Sequence, residues 1–78
     1  GGGGASKPAL LSSNATYQQA IDKLDEIIEY CEDHPGTAND GVKSSARTMR
    51  DNLSDSNWDI QGSARVSLIN TTLIAILQ

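Results

Sequence analysis

Residues 66–78 read VSLINTTLIAILQ. Eight of the twelve positions from Val66 to Leu77 are apolar, and the fold turns on the shape they take. Four readings are open: a core helix, a seam for another chain, a strand, or a membrane anchor. A bilayer span takes about 20 apolar residues. This run is shorter and is interrupted by Ser67, Asn70, Thr71 and Thr72, so no membrane span is expected. The strand reading has local support. Ala64, Val66 and Leu68 alternate with Arg65 and Ser67, and Thr71, Thr72, Ile74 and Ile76 are β-branched. A strand needs a second strand to pair with, however, and no convincing one exists elsewhere in the chain. Helix is preferred, on length and on the helical periodicity upstream.

As a helix over about 57–77, the segment places Gly62, Val66, Ile69, Leu73 and Ile76 on one stripe at heptad spacing. Trp58 falls on its N-terminal extension. A second row, Ile60, Ala64 and Leu68, broadens the apolar face. Gly62 is unexpected, because glycine costs about 1 kcal/mol relative to alanine inside a helix. It allows either close approach of another backbone or a break after a short turn carrying Trp58.

The clearest helix lies upstream, over about 16–34. Tyr17, Ala20, Ile21, Leu24, Ile27, Ile28 and Cys31 step by three and four. Thr16 and Gln19 have the spacing of a capping box, with Asn14 a competing cap. His34 and then Pro35-Gly36 mark the end. A second helix is predicted over about 40–54, capped by Asn39 or Asp40. Its narrow stripe is Val42, Ala46, Met49 and Leu53. Residues 1–15, GGGGASKPALLSSNA, are expected to form a flexible arm, from which Leu10 and Leu11 could dock. The GGGG start reads as an engineered linker or a native flexible lead. The expected architecture is therefore all-α: a three-helix bundle, or a helical hairpin plus a C-terminal helix, over residues 16–78.

The chain has 78 residues, so it forms one domain. A domain of that size buries only about 60% of the surface its unfolded chain exposes. One cysteine rules out an internal disulfide, and with no Phe the core must be aliphatic. Helix packing or a partner chain is left to supply stability. The net charge is −4 and the chain has no basic cluster, which argues against nucleic acid as a partner. No signal-peptide pattern is visible. The lone cysteine fits a reducing compartment, so the cytoplasm is favoured; secretion by a signal-independent route is the other expectation.

Three residue sets bear on chemistry. Cys31 and His34 lie three apart, as a thiolate–imidazole dyad would, but each is also explained structurally: Cys31 by the apolar stripe, His34 by the helix end. Asp22, Asp25, Glu26, Glu29, Glu32 and Asp33 oppose Lys23 alone, giving that helix a net −5. They spread along a surface instead of converging, so a solvated acidic face is expected and no metal site. Lys43, Arg47 and Arg50 share one face of the second helix and could pair with those acids, in the same chain or in a neighbour. No enzymatic activity, cofactor or small-molecule substrate is expected.

The functional expectation is a small helical protein–protein interaction module. It would bind a protein partner or itself through the C-terminal stripe, with Trp58, Val66, Ile69, Leu73, Ile76 and Leu77 at the contact. The reasoning is that two short amphipathic helices cannot cover so broad an apolar flank. Alternatives are a structural subunit or chaperone of a secretion-type assembly, and an acidic inhibitor of a basic partner protein. A domain excised from a longer protein, with GGGG as its linker, is a further possibility.

Overall fold

The computed structural model describes residues 8–77, and the helix order follows from the capping and periodicity of the chain. Helix α1 is Tyr17–Asp33, α2 is Thr37–Asn52 and α3 is Trp58–Leu77. A single 3-10 turn, Asp55–Asn57, precedes α3. No strand occurs among the described residues, so the 66–77 segment is helical and the architecture is an all-α three-helix bundle. The threonines that favoured a strand are accommodated locally. Thr71 Oγ1 donates to the Ser67 carbonyl at 2.9 Å, and Thr72 Oγ1 to that of Leu68 at 3.0 Å.

The start of α1 is a complete capping box. The Gln19 amide donates to Thr16 Oγ1 at 3.1 Å, and the Thr16 amide donates to Gln19 Oε1 at 2.9 Å. The helix buries Ala20, Leu24, Ile27, Ile28, Tyr30 and Cys31, leaving Tyr17 and Ile21 half-buried. Tyr30 lies outside the expected stripe; its ring stacks on that of His34, with centroids 4.3 Å apart.

Helix α2 begins earlier than expected. The Asp40 amide donates to the Gly36 carbonyl at 2.8 Å, so the first turn forms directly after Pro35-Gly36. Neither Asn39 nor Asp40 is the cap. Instead Asn39 Nδ2 reaches back to the His34 carbonyl at 2.8 Å, serving the end of α1. Of the α2 stripe only Ala46 is fully buried; Val42, Met49 and Leu53 are half-buried against the core. Ser56 lies inside the 3-10 turn with its hydroxyl 2.8 Å from that of Ser54.

The N-terminal segment departs from the expected flexible arm. Residues 1–7 of that arm lie outside the described residues. The remainder, 8–15, is docked, with Pro8 and Ala15 buried and Leu11 packed on the core. The physical reason is Asn70. Its side-chain amide carries the same donor and acceptor as a peptide group. The Leu11 amide donates to Asn70 Oδ1 at 2.7 Å, and Asn70 Nδ2 donates to the Leu11 carbonyl at 3.1 Å. Trp58 adds a second tie, its Nε1 donating to the Ala15 carbonyl at 3.0 Å.

Trp58 also explains Gly62. A Cβ there would sit 2.9 Å from Trp58 Cε2, so the missing side chain makes room for the indole of the same helix. The helix runs unbroken through Gly62, so no break is involved. The edge of the Trp58–Tyr17 ring pair, at 6.1 Å and 72°, completes this corner.

Two outcomes follow for stability. Leu73 is wholly buried, and Leu73→Ala should cost about 2–5 kcal/mol, read as a lower midpoint in urea. That is a large share of a small domain's stability, which runs to about 0.05–0.15 kcal/mol per residue. Asn70→Ala should cost about 1–3 kcal/mol by stranding the Leu11 peptide groups. Hydrogen exchange at Leu11 should then accelerate far more than exchange at Leu24 or Ile27.

Candidate interaction surface

The residues expected to form the contact fall on the inner side of α3. Val66, Ile69, Leu73 and Ile76 are 4%, 0%, 0% and 7% exposed. Ile69, Leu73 and Ile76 join Leu24, Ile27, Ile28, Cys31 and Ala46 in one buried cluster. Trp58 is half-buried and spent on Ala15, Tyr17 and Gly62. The side chain of Leu77 lies outside the described residues. The stripe assigned to a partner is thus core of its own chain. Two helices and the docked segment 8–15 suffice to cover it.

What the bundle leaves outside is the opposite side of α3. Ile60, Ala64, Ser67, Thr71 and Ile74 step by four, three, four and three, and all are exposed. Leu68 and Ala75 flank them, also exposed. The larger members are well clear of the core: Ile60 is 86% exposed, Leu68 47% and Ile74 46%. No charged residue occurs from Val66 to Leu77, and Arg65 lies off this row. The Thr71 hydroxyl is turned onto its own helix, donating to the Ser67 carbonyl. Beside Leu68 a shallow groove of about 550 Å³ runs between α2 and α3, past Ser44, Ser45, Thr48, Met49 and Thr72.

The row Ile60, Ala64 and Leu68 is visible in the sequence as a broadening of the apolar face. Residue size does not separate outer from inner, because the outer side mixes the small Ala64, Ser67, Thr71 and Ala75 with the large Ile60, Leu68 and Ile74.

The acidic face of α1 is partly engaged within the chain. Arg50 Nη1 donates to Asp25 Oδ1 at 2.7 Å, and Arg47 lies 3.7 Å from Glu32. These ties between α1 and α2 realise the pairing that Arg47 and Arg50 allow. Being half-exposed, each contributes only about 0–1 kcal/mol.

The remaining chemical candidates separate. Cys31 is fully buried, while the exposed His34 stacks on Tyr30 with Nδ1 3.1 Å from the Tyr30 carbonyl. Burial raises the Cys31 pKa above its ordinary 9.0; Lys43 lowers it and Asp40 raises it, both to a lesser extent. Among the described residues no cluster of His, Cys, Asp or Glu suits a metal ion. No described helix is long and apolar enough to cross a membrane. No family model, curated protein or solved structure matches the chain.

The buried thiol gives a pH signature. Its raised folded pKa means the neutral form is favoured by folding, so its contribution is complete below the unfolded value. It fades as pH climbs from there through the folded pKa. Stability should therefore decline above about pH 9 through this group, and Cys31→Ala should flatten that limb. In the native chain the thiol should react with an aromatic disulfide reagent only as fast as the bundle opens.

Proposed function

We propose that the protein is a small helical interaction module that binds a partner helix along the outer side of α3. The observation that carries this reading is the uncharged, exposed seam running from Ile60 to Ile74. A monomer's exposed helix face ordinarily carries charge, with polar residues opposite its buried stripe. Here most of the charge is on α1 and α2; α3 carries only Asp59 and Arg65, and its outer row from Ile60 to Ile74 is apolar or small. Desolvating such a seam is inexpensive, because it has no ion to strip of water and the Thr71 hydroxyl already has an acceptor.

The mode is helix against helix, along a row whose members step by three and four residues. Ile60, Leu68 and Ile74 are the anchors, replacing the buried stripe as the contact. The bundle core holds α3 rigid, so little order is lost when a partner docks. The acidic surface of α1 supports an inhibitor of a basic partner less well, since Asp25 and Glu32 are already paired with arginines of the same chain.

Site-specific photocrosslinking in native cells tests the reading. A benzophenone side chain at Thr71 should yield a discrete protein adduct, and the same group at Gln18 on α1 should not. Equal adduct patterns at the two positions, or none at Thr71, would remove α3 as the contact.

A further inference from the structure

We propose that residues 8–15 are a releasable strap: a ligand supplied by the chain itself, filling an extended-peptide site on α3 and giving way there to a segment of a protein partner with the same pattern of side chains. The inference does not depend on the outer seam. Asn70, which holds the strap, lies two residues and so about half a turn from Leu68 and the α2 groove.

The first observation is how the strap is held. Both peptide groups of Leu11 go to one side chain, the amide of Asn70, at 2.7 and 3.1 Å. A residue whose N–H and C=O reach the same neighbour is paired as in a hydrogen-bonded couple of strands. Asn70 thus replaces one residue of an adjoining strand. It reads the main chain and is indifferent to the side chain that comes with it. Trp58 reads the main chain again four residues on, at the Ala15 carbonyl. Sequence is read by burial. Pro8 and Ala15 are buried and Leu11 is half-buried, while Ala9, Leu10, Ser12, Ser13 and Asn14 are exposed. Main-chain bonds joined to spaced side-chain seats are how grooves take extended peptides. The ligand class is therefore an extended segment with proline, leucine and a small residue at the spacing of Pro8, Leu11 and Ala15.

The second observation is where the strap lies. Every member of the buried core cluster belongs to a helix, and Leu11 packs against that cluster from outside. The ties at Leu11 and Ala15 both end on α3. Towards α1 an open groove of about 320 Å³ remains, past Leu10, Ser12, Gln19, Asp22, Lys23 and Glu26. Atoms facing that space forgo packing contacts. The local order of the strap is a turn, closed by the Ala15 amide on the Ser12 carbonyl at 3.0 Å. A segment with few buried apolar contacts opens at lower free energy than the core it rests on. The strap accordingly lifts with the three helices still folded. The half-buried Asn70 amide then lacks its two partners, which favours capture of any segment that restores them. Strap and incoming peptide exclude each other, so apparent affinity is reduced by the fraction of chains that are open.

The test uses the full chain and a dye-labelled peptide with the sequence of residues 8–16, PALLSSNAT. Leu11→Gly loosens the strap and should tighten peptide binding at least about tenfold over wild type by raising the open fraction. Adding Asn70→Ala to that chain should weaken binding at least about tenfold, because the two main-chain bonds are lost. A scrambled peptide should bind neither chain. Circular dichroism reports whether each variant keeps its helices. The emission of Trp58, the chain's one indole, should move to the red in Leu11→Gly and return on adding unlabelled peptide. In the wild-type chain the Leu11 and Ala15 amides should exchange together, far faster than those of Leu24 and Ile27. Exchange at Leu11 no faster than at Leu24 overturns the releasable strap. Equal affinity in wild type and Leu11→Gly, no binding to Leu11→Gly, or binding that survives Asn70→Ala overturns the site. A wild-type chain that dimerises on concentration with Leu11 still protected gives the site to the strap of a second copy and overturns the partner assignment.

Discussion

The bundle depends on burying one aliphatic stripe of α3 against α1 and α2. With no Phe and no disulfide available, Ile69 and Leu73 meet Leu24, Ile27 and Cys31 in a cluster of small and medium side chains. Burial of each full-sized member is worth about 1.5–3 kcal/mol relative to exposure. A core of this kind is close to the minimum for a chain of this length. Everything else in the fold either extends that core or spares it from needing to be larger.

The docked N-terminal segment is the main extension. It has no secondary structure of its own and would ordinarily not recover the entropy of ordering. Its two ties are not interchangeable with apolar packing. Asn70 satisfies both peptide groups of Leu11 at once, and Trp58 satisfies the carbonyl of Ala15. Both peptide groups of Leu11 and the Ala15 carbonyl are thereby met while the Leu11 side chain packs on the core. Gly62 belongs to the same device. The helix gives up a side chain at that position so that the indole can lie close to the backbone and point its N–H across to Ala15.

The helices themselves are legible from local rules. The Thr16–Gln19 spacing, the α1 stripe and the Pro35-Gly36 stop depend on neighbours within one turn, and such signals survive without tertiary information. What escapes is long-range. Nothing in the immediate neighbourhood of Asn70 says that its amide will face Leu11, 59 positions away. A polar interruption in an apolar run reads as a surface residue until its distant partner is known. Asn39 misleads in a similar way: it is a good cap by type, but its side chain serves the preceding helix. Which stripe of α3 is turned inward escapes for a related reason. Periodicity finds both stripes of α3 but not which one meets α1. The inner stripe has Val66, Ile69, Leu73 and Ile76, but the outer side also holds the equally large Ile60, Leu68 and Ile74, and only packing against α1 tells them apart.

That distinction also bears on why α3 is apolar beyond its core. Stability of the single chain asks only for the inner stripe. An outer row of Lys and Glu would serve solubility better and would add support between residues four apart on the helix. Keeping Ile60, Leu68 and Ile74 in water instead gives up that benefit and enlarges the exposed apolar area. Small residues between them let another backbone approach closely, and the hydrogen bond from Thr71 to Ser67 removes one polar group from the balance. Each of these choices costs the isolated monomer something, and each lowers the free energy of a helix laid alongside. The helix-on-helix contact proposed for the outer side of α3 is the arrangement in which these choices would be recovered.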